Sequence, residues 1–109
     1  MTKENLFVEF TRKGSTLTAR LSGEIDHHSA KGAREAIDAS LFKYHPATLV
    51  LDLSNVAFMD SAGLGLILGR CALCQELGIS VSLQSPSPRV KKILSIAGVG
   101  RLKNLTVEA

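Results

Sequence analysis

Hydrophobic and polar residues alternate in two short runs near the start of the chain. The runs "LFVEFTR" and "TLTARLSGEI" both approximate the two-residue period of a half-buried β-strand. They are separated by "KGS", in which Gly14 can adopt the positive φ that a tight hairpin loop requires. The pattern therefore predicts that the fold opens with an antiparallel pair of strands.

A helix is predicted from Ser29 onward, because apolar residues then recur at helical spacing. Asp26 and Ser29 precede it and are candidate caps for its N-terminus. Gly32 weakens this helix by about 1 kcal/mol relative to alanine. The predicted apolar face consists of Ala30, Ala33, Ile37 and Leu41.

Two further strand–helix units follow. The run "ATLVLDLS" is almost continuously apolar, which is typical of a central strand buried on both faces. A second helix is predicted after Phe58, and Gly78 can end it. Its apolar positions are Leu64, Ile67, Leu68, Cys71 and Leu77.

The last third of the chain continues the alternation of strands and helices. "ISVSLQ" predicts a strand, and "SPSPRVKKILSIAG" predicts a helix with Ser87 as its cap and Pro88 in its first turn. "LTVE" predicts a short final strand. The whole pattern indicates an α/β fold: a mixed, mostly parallel sheet opened by a hairpin, with helices packed on it and right-handed crossovers.

Length and composition agree with one folded domain over residues 1–109. The chain is 45% hydrophobic and 21% charged, a balance typical of globular proteins and not of disordered ones. The first ten residues lack the apolar core of a signal peptide, and the longest run of apolar and glycine residues, 62–69, is too short to span a bilayer. We therefore expect a cytoplasmic protein with no membrane contact.

The net charge of +3 is weak evidence for nucleic-acid binding. The chain lacks an RNA-binding pattern of basic and aromatic residues, so a solvated basic face is favoured and no direct nucleic-acid partner is expected. The modest basic cluster consists of Arg89, Lys91, Lys92, Arg101 and Lys103.

Cys71 and Cys74 form a CxxC motif, which suggests redox chemistry or half of a metal site. A redox pair lowers its thiol pKa at a helix N-terminus, whereas this pair lies near the middle of a predicted helix. A zinc site needs two more ligands, and the adjacent His27 and His28 have neither zinc-finger nor metal-helix spacing. Reduced, mostly buried thiols are expected, with no metal and no cofactor.

Ser61, in "AFMDSAGLGL", is the most informative residue for function. A strand, a turn bearing serine and a helix resemble the nucleophile elbow of α/β-hydrolases. Gly63 matches that G-x-S-x-G motif, but Met59 replaces its first glycine, and all three histidines precede Ser61 in the chain. A small serine hydrolase is therefore disfavoured.

The glycines of the same stretch also invite comparison with a dinucleotide site. Gly63, Gly65 and Gly69 do not have G-x-G-x-x-G spacing, so Gly63 and Gly65 are interpreted as letting the helix start tightly and pack close to the sheet. What remains is a serine at a helix N-terminus, where unpaired N–H groups could receive its hydroxyl or a phosphate on it. Taken alone, this position favours a plain cap over a modified residue.

Two stretches together change that balance: "SGEIDHHSA" at 22–30 and "LDLSNVAFMDSAGLGLILGR" at 51–70. They resemble the bacterial anti-sigma factor antagonists of the STAS domain family, most closely the sporulation type. The resemblance implies a single STAS domain that is not an enzyme and in which a partner kinase phosphorylates Ser61. It also implies that the "GEIDHH" turn lies near the Ser61 loop on one docking face.

The same resemblance implies the partners. The unphosphorylated form would bind an ATP-binding anti-sigma factor serine kinase and free a sigma factor, and a phosphatase would act on phospho-Ser61. The alternative is a STAS scaffold subunit of another signalling assembly. The implied partner-binding residues are Asp26, His27, His28, Met59, Asp60, Ala62, Gly63, Leu64 and Gly65.

The chain departs from the family pattern at its C-terminus and at Gly32, which breaks the helix-favouring composition of the first helix on a surface that the family uses for docking; Ala62 is a lesser departure. The family commonly continues into a further C-terminal helix, whereas nine residues follow Gly100, so one edge or face of the sheet is expected to be less covered. Ala62 stands where some members have a second serine, which leaves Ser61 as the single acceptor in the loop.

Overall fold

The computed structural model describes residues 6–108. The prediction about a signal peptide falls partly on residues 1–5, which lie outside this range. The elements are β1 (Leu6–Lys13), β2 (Thr16–Ile25), α1 (Ala30–Tyr44), β3 (Thr48–Met59), α2 (Ser61–Leu77), β4 (Ser80–Gln84), α3 (Pro88–Ile96), a short 3₁₀ helix (Val99–Arg101) and β5 (Leu105–Glu108).

The sheet has five strands in the order β1-β2-β3-β4-β5. Strands β1 and β2 are antiparallel, and the three remaining pairs are parallel. Lys13 pairs with Thr16 across a two-residue loop, in which Gly14 has φ +60°. The predicted opening hairpin and the predicted mostly parallel sheet are both confirmed.

All three crossovers step to the next strand in the same direction across the sheet. Because such connections are right-handed, α1, α2 and α3 pack on one face of the sheet. The burial along β2 follows this arrangement, since Leu17, Ala19 and Leu21 are buried whereas Thr18 is half-buried and Arg20 is exposed. The core therefore lies between one face of the sheet and the helices.

Strand β3 is central, as predicted, but it is buried on both faces only in part. Leu49, Leu51 and Leu53 face the helices and are fully buried. On the opposite face Val50 is buried, Asp52 is half-buried and Ser54 is exposed. The reason is the strand order, which leaves one face of the sheet without a helical layer.

A row of polar side chains crosses this uncovered face from one edge of the sheet to the other. Within it, Arg20 Nε lies 3.2 Å from Asp52 Oδ2, and Gln84 Nε2 donates to Glu108 Oε2 at 3.3 Å. Polar pairs of this kind suit a sheet face in contact with water. In register, the row is Glu9, Arg20, Asp52, Gln84 and Glu108.

The helices largely follow their predicted faces and ends. Helix α1 buries Ala33, Ile37 and Leu41, as predicted. Gly78 ends α2 with φ +73°, but Leu77, which was predicted to be apolar core, is 42% exposed. The residues that α2 buries are Gly63, Leu66, Ile67, Arg70, Cys71 and Cys74.

Strand β3 is longer than the apolar run predicts, and this extension positions the site. Its pairing with β2 continues past two register shifts to the pair Ile25 and Met59. Val56 and Met59 supply buried side chains beyond the continuous run. Within residues 6–108, no helix combines the length and the apolar character needed to cross a bilayer.

Candidate functional site

Two chain segments meet at the carboxyl ends of β2 and β3. Ile25 and Met59 are the last paired residues of these parallel strands, and the Asp60 N–H donates to the Ile25 carbonyl at 3.2 Å. The turn that follows Ile25 and the loop that carries Ser61 therefore lie side by side at this edge of the sheet. We call this region the Ser61 edge, and define it as residues 26–29 and 60–65.

Helix α2 is capped by Asp60 and not by Ser61. Asp60 Oδ1 accepts hydrogen bonds from the backbone N–H groups of Ala62, at 2.8 Å, and Gly63, at 3.1 Å. Its carbonyl accepts the next N–H, that of Leu64, at 3.1 Å. The interpretation of Ser61 as a plain cap is therefore wrong, because the preceding carboxylate already does this.

Ser61 is the first residue of α2, and its side chain is exposed. Two of the N–H groups at this helix start, those of Ala62 and Gly63, donate to Asp60 and are therefore not free to bind the Ser61 hydroxyl or a phosphate on it. A phosphate on Ser61 would still lie at the positive end of a helix dipole, which stabilises an anion by about 0.3–1 kcal/mol. It would also lie next to a carboxylate, so the fold itself gains little from it.

The neighbouring turn is held by a reciprocal pair of side chains. Asp26 Oδ1 accepts from the N–H groups of His28, at 2.9 Å, and Ser29, at 3.0 Å. Ser29 Oγ accepts from the Asp26 N–H at 3.0 Å and donates to the Glu24 carbonyl at 3.1 Å. Hydrogen bonding, first from the Ser29 N–H, holds the pKa of Asp26 below its ordinary value.

These bonds revise the predicted capping of α1. Ser29 occupies the N-cap position but makes no side-chain capping hydrogen bond to α1. Asp26 instead binds the two N–H groups just before the helix, and its carbonyl accepts the Ala30 N–H at 3.0 Å. The turn leaves His27 and His28 exposed, with ring centroids 5.4 Å apart in an edge-to-face arrangement.

Gly63 allows α2 to start against the strand ends. A Cβ at this position would overlap Met59 Cγ and lie 3.0 Å from the Ile25 carbonyl oxygen. The interpretation of close packing is therefore confirmed for Gly63. It is wrong for Gly65, where a Cβ would meet nothing within 4 Å.

The predicted partner-binding residues differ in exposure. His27, His28 and Gly65 are exposed like Ser61, whereas Met59 and Gly63 are buried. A partner could therefore contact the first group directly, and the second group can only shape the backbone beneath it. The half-buried members are Asp26, Asp60, Ala62 and Leu64.

One charged pair beside the site has no signal in the sequence. Arg70 of α2 is 8% exposed, and its Nε lies 3.1 Å from Asp38 Oδ1 of α1. The contact is an ion pair without a hydrogen bond, and Arg70 Nη1 is also buried without a hydrogen-bond partner among the described residues. Because Asp38 and Arg70 are 32 positions apart and lie on different helices, no local sequence pattern predicts their contact.

The cysteines are buried in the middle of α2 and are not joined by a disulfide, as predicted. Burial raises the pKa of Cys71 to about 12 and that of Cys74 to about 11. Because the thiolate is the nucleophile and the metal ligand, both groups are unreactive near neutral pH. Within the described range no cluster of three or more metal-ligating side chains occurs, and the absence of a bound metal stays a prediction.

A mostly parallel sheet covered by helices on one face, with a serine exposed at a helix start beside two strand ends, defines the class of domain. The STAS domain family model matches residues 7–108. The chain belongs to the STAS domain family.

Within that family, similar curated proteins are antagonists of anti-sigma factors. The anti-sigma F factor antagonist of Paenibacillus polymyxa is 36% identical over 98 residues, which are 90% of this chain and 84% of that protein. The structure of the anti-sigma factor antagonist SpoIIAA in its unphosphorylated form superposes with a TM-score of 0.76 at 30% identity, over 95% of this chain and 88% of that one. The phosphorylated form of the Bacillus SpoIIAA gives 0.73 at 29% identity, over 95% and 91% of the two chains.

Proposed function

We propose that this chain is an anti-sigma factor antagonist controlled by phosphorylation of Ser61. Its unphosphorylated form would bind an ATP-binding anti-sigma factor kinase in the cytoplasm and free a sigma factor. The observation that carries the proposal is the exposed Ser61 side chain at the start of α2, next to a cap that another residue provides. Similar proteins bear the name of antagonist, and SpoIIAA has a phosphorylated form.

The proposed docking surface is the Ser61 edge. Its exposed members, His27, His28, Ser61 and Gly65, come from two loops that the parallel pairing of β2 and β3 holds together. Both loops are fixed by carboxylates that bind backbone N–H groups. Such preformed loops lose little conformational freedom on binding, which favours affinity.

Phosphorylation would act by electrostatics and bulk at this surface. It replaces a neutral hydroxyl with about −1.5 to −2 charges beside Asp60. Because Ser61 is exposed, the phosphate fits without repacking the core. At a desolvated interface it would repel an acidic group of the partner at a cost of several kcal/mol, and each 1.4 kcal/mol is tenfold in affinity. A phosphatase that removes the group would restore binding.

The domain would be the substrate in the phosphoryl transfer and not the catalyst. The residue that accepts the proton of the attacking hydroxyl normally belongs to the kinase. Asp60 is the acidic neighbour of Ser61, but its Oδ1 already binds two backbone N–H groups. Asp60 is therefore proposed as a helix cap and recognition residue, without a role as base.

The test is phosphate mapping on the full chain incubated with ATP and a purified anti-sigma factor serine kinase. Phosphate should appear on Ser61 and be lost in the Ser61→Ala variant. Ser15→Ala is the matched control, because Ser15 is an exposed serine in the hairpin loop at the opposite edge of the sheet. Phosphate on Ser29, Ser54 or another residue in place of Ser61 would contradict the proposal.

A further inference from the structure

A groove of about 360 Å³ runs between α1 and α2, beside the Ser61 edge. Three cationic side chains line it: Lys31 and Arg34 from α1 and Arg70 from α2. His27 lies at the same lining, and no carboxylate does. Asp38, paired with Arg70 outside the lining, offsets one of the three positive charges. The groove therefore keeps a positive field in a concave surface, which attracts anions.

Arg70 is unusual because two of its guanidinium nitrogens are buried without a hydrogen-bond partner among the described residues, although the group is ion-paired with Asp38. Its side chain is 9% exposed, and neither Nε nor Nη1 has a hydrogen-bond partner in residues 6–108. Buried guanidinium donors are normally paired, because an unpaired polar group away from water is destabilising. Arginine is also the side chain whose planar set of donors best matches a phosphate. An anion in the groove would give these donors an acceptor after a small movement of the side chain.

Two glycines of α2 keep the groove open. Gly65 and Gly69 are one helical turn apart and both line it. A Cβ at either position would meet nothing within 4 Å, so neither glycine is required by packing, in contrast to Gly63. Glycine disfavours a helix relative to alanine, so these two residues lower the stability of α2. Packing gives no steric reason for glycine at either position. Side chains there would project into the space between the helices.

We propose that this groove binds a phosphate-type oxyanion, either inorganic phosphate or a small phosphate monoester, with Lys31, Arg34 and Arg70 as its donors. The proposal goes beyond the Ser61 switch and does not depend on it. Lys31 and Arg34 are exposed at the rim, so they can meet the ligand as it enters. Arg70 supplies the buried donors, and its position between the anion and Asp38 fixes its orientation.

The first experiment is an NMR titration of the full chain with inorganic phosphate, and separately with glycerol 3-phosphate, at constant ionic strength set with sodium chloride. Saturable shifts of the amides of Ala62, Gly65 and Gly69 are expected. Tighter binding of glycerol 3-phosphate assigns the site to monoesters, and equal or weaker binding assigns it to free phosphate. Shifts that do not saturate, or that spread over Lys91 and Lys92 of α3, mean an adventitious ion only and overturn the proposal.

Variants of the rim then test the donors. The double variant Lys31→Gln with Arg34→Gln should weaken phosphate binding at least tenfold, with an unchanged fold because both side chains are exposed. Lys91→Gln with Lys92→Gln, which removes the same charge from exposed positions on α3, should leave the affinity within twofold. An equal loss in the two double variants would show a general charge effect and would overturn the site.

The glycines give a test in which stability and affinity move in opposite directions. Gly65→Ala and Gly69→Ala should each raise the melting temperature and weaken phosphate binding, because the added methyl group projects into the groove and narrows it at the anion site. Gly32→Ala is the matched control, since Gly32 is an exposed helix glycine with no neighbour within 4 Å and lies outside the lining. It should raise the melting temperature and leave phosphate affinity unchanged. Unchanged affinity in both α2 variants would contradict the assignment of the groove.

Discussion

Helices α2 and α3 both have a serine at their start, but the two serines have different roles. Ser87 is the N-cap of α3, and its Oγ accepts from the Val90 N–H at 3.2 Å. Ser61 comes one position later relative to its helix, after a capping aspartate, in the place that Pro88 occupies in α3. One position thus decides whether a serine caps the helix, as Ser87 does, or leaves this role to another residue, as Ser61 does.

The two helix starts also differ in how they meet the sheet. The α2 start packs on strand ends through Gly63, whereas the α3 start is joined to its strand by the loop 85–87. The Ser61 edge is therefore held by a cap and by close packing at once. In the proposed switch, this rigidity would let a change of charge on Ser61 act on a partner without first changing the fold.

The largest effect on stability is expected where α2 packs on the strand ends. Gly63→Ala should destabilise the protein by about 1–3 kcal/mol, because the added Cβ overlaps Met59 and crowds the Ile25 carbonyl. Urea unfolding of Gly63→Ala and of Gly65→Ala, a glycine with open space two residues away, measures the contrast. If Gly63→Ala were as stable as the wild type, the close contact would not matter.

A smaller loss is expected when the cap of α2 is removed. Asp60→Ala should lower the free energy of unfolding by about 0.5–2 kcal/mol, since the N–H groups of Ala62 and Gly63 lose their acceptor. Asp60→Asn is the control, because asparagine caps about as well and removes only the charge. In thermal melts, the melting temperature of Asp60→Asn should be close to that of the wild type, and that of Asp60→Ala should be lower. The reverse order would refute the assigned cap.

The smallest effect should separate the two serines. Ser87→Ala should cost about 1 kcal/mol, as for a lost N-cap, whereas Ser61→Ala should stay within about 0.5 kcal/mol of the wild type. Denaturant titrations of the two variants under the same conditions provide the comparison. Equal losses would mean that Ser61 supports its helix as Ser87 does.

Much of the fold could be predicted from local patterns. The limits of β2 and β5 match the predicted runs, because alternation and turn residues mark them clearly. The end of β3 could not be predicted, since residues 56–59 are all apolar without the alternation of a strand and are held by pairing with β2. The uncovered sheet face follows from strand order, which a single apolar run such as "ATLVLDLS" does not encode.

The candidate site was predicted in part. The motif around Ser61 and the turn at Asp26 could be found in the sequence, because short segments carry them. Which of Asp60 and Ser61 caps α2 could not be predicted, because both residue types are good N-caps and the two residues are adjacent in the chain. The groove with Arg70 and Asp38 depends on the packing of α1 against α2, and no local pattern records it.

The most direct test of the switch is calorimetric titration of the kinase partner with wild type, Ser61→Asp and Ser15→Asp. We expect Ser61→Asp to fold as stably as the wild type and to bind at least tenfold more weakly, because it adds charge beside Asp60 at the docking surface. The loss should be partial, since aspartate is smaller than phosphoserine and carries less charge. Ser15→Asp adds the same charge at the opposite edge and should bind like the wild type. Wild-type affinity of Ser61→Asp would contradict the electrostatic switch.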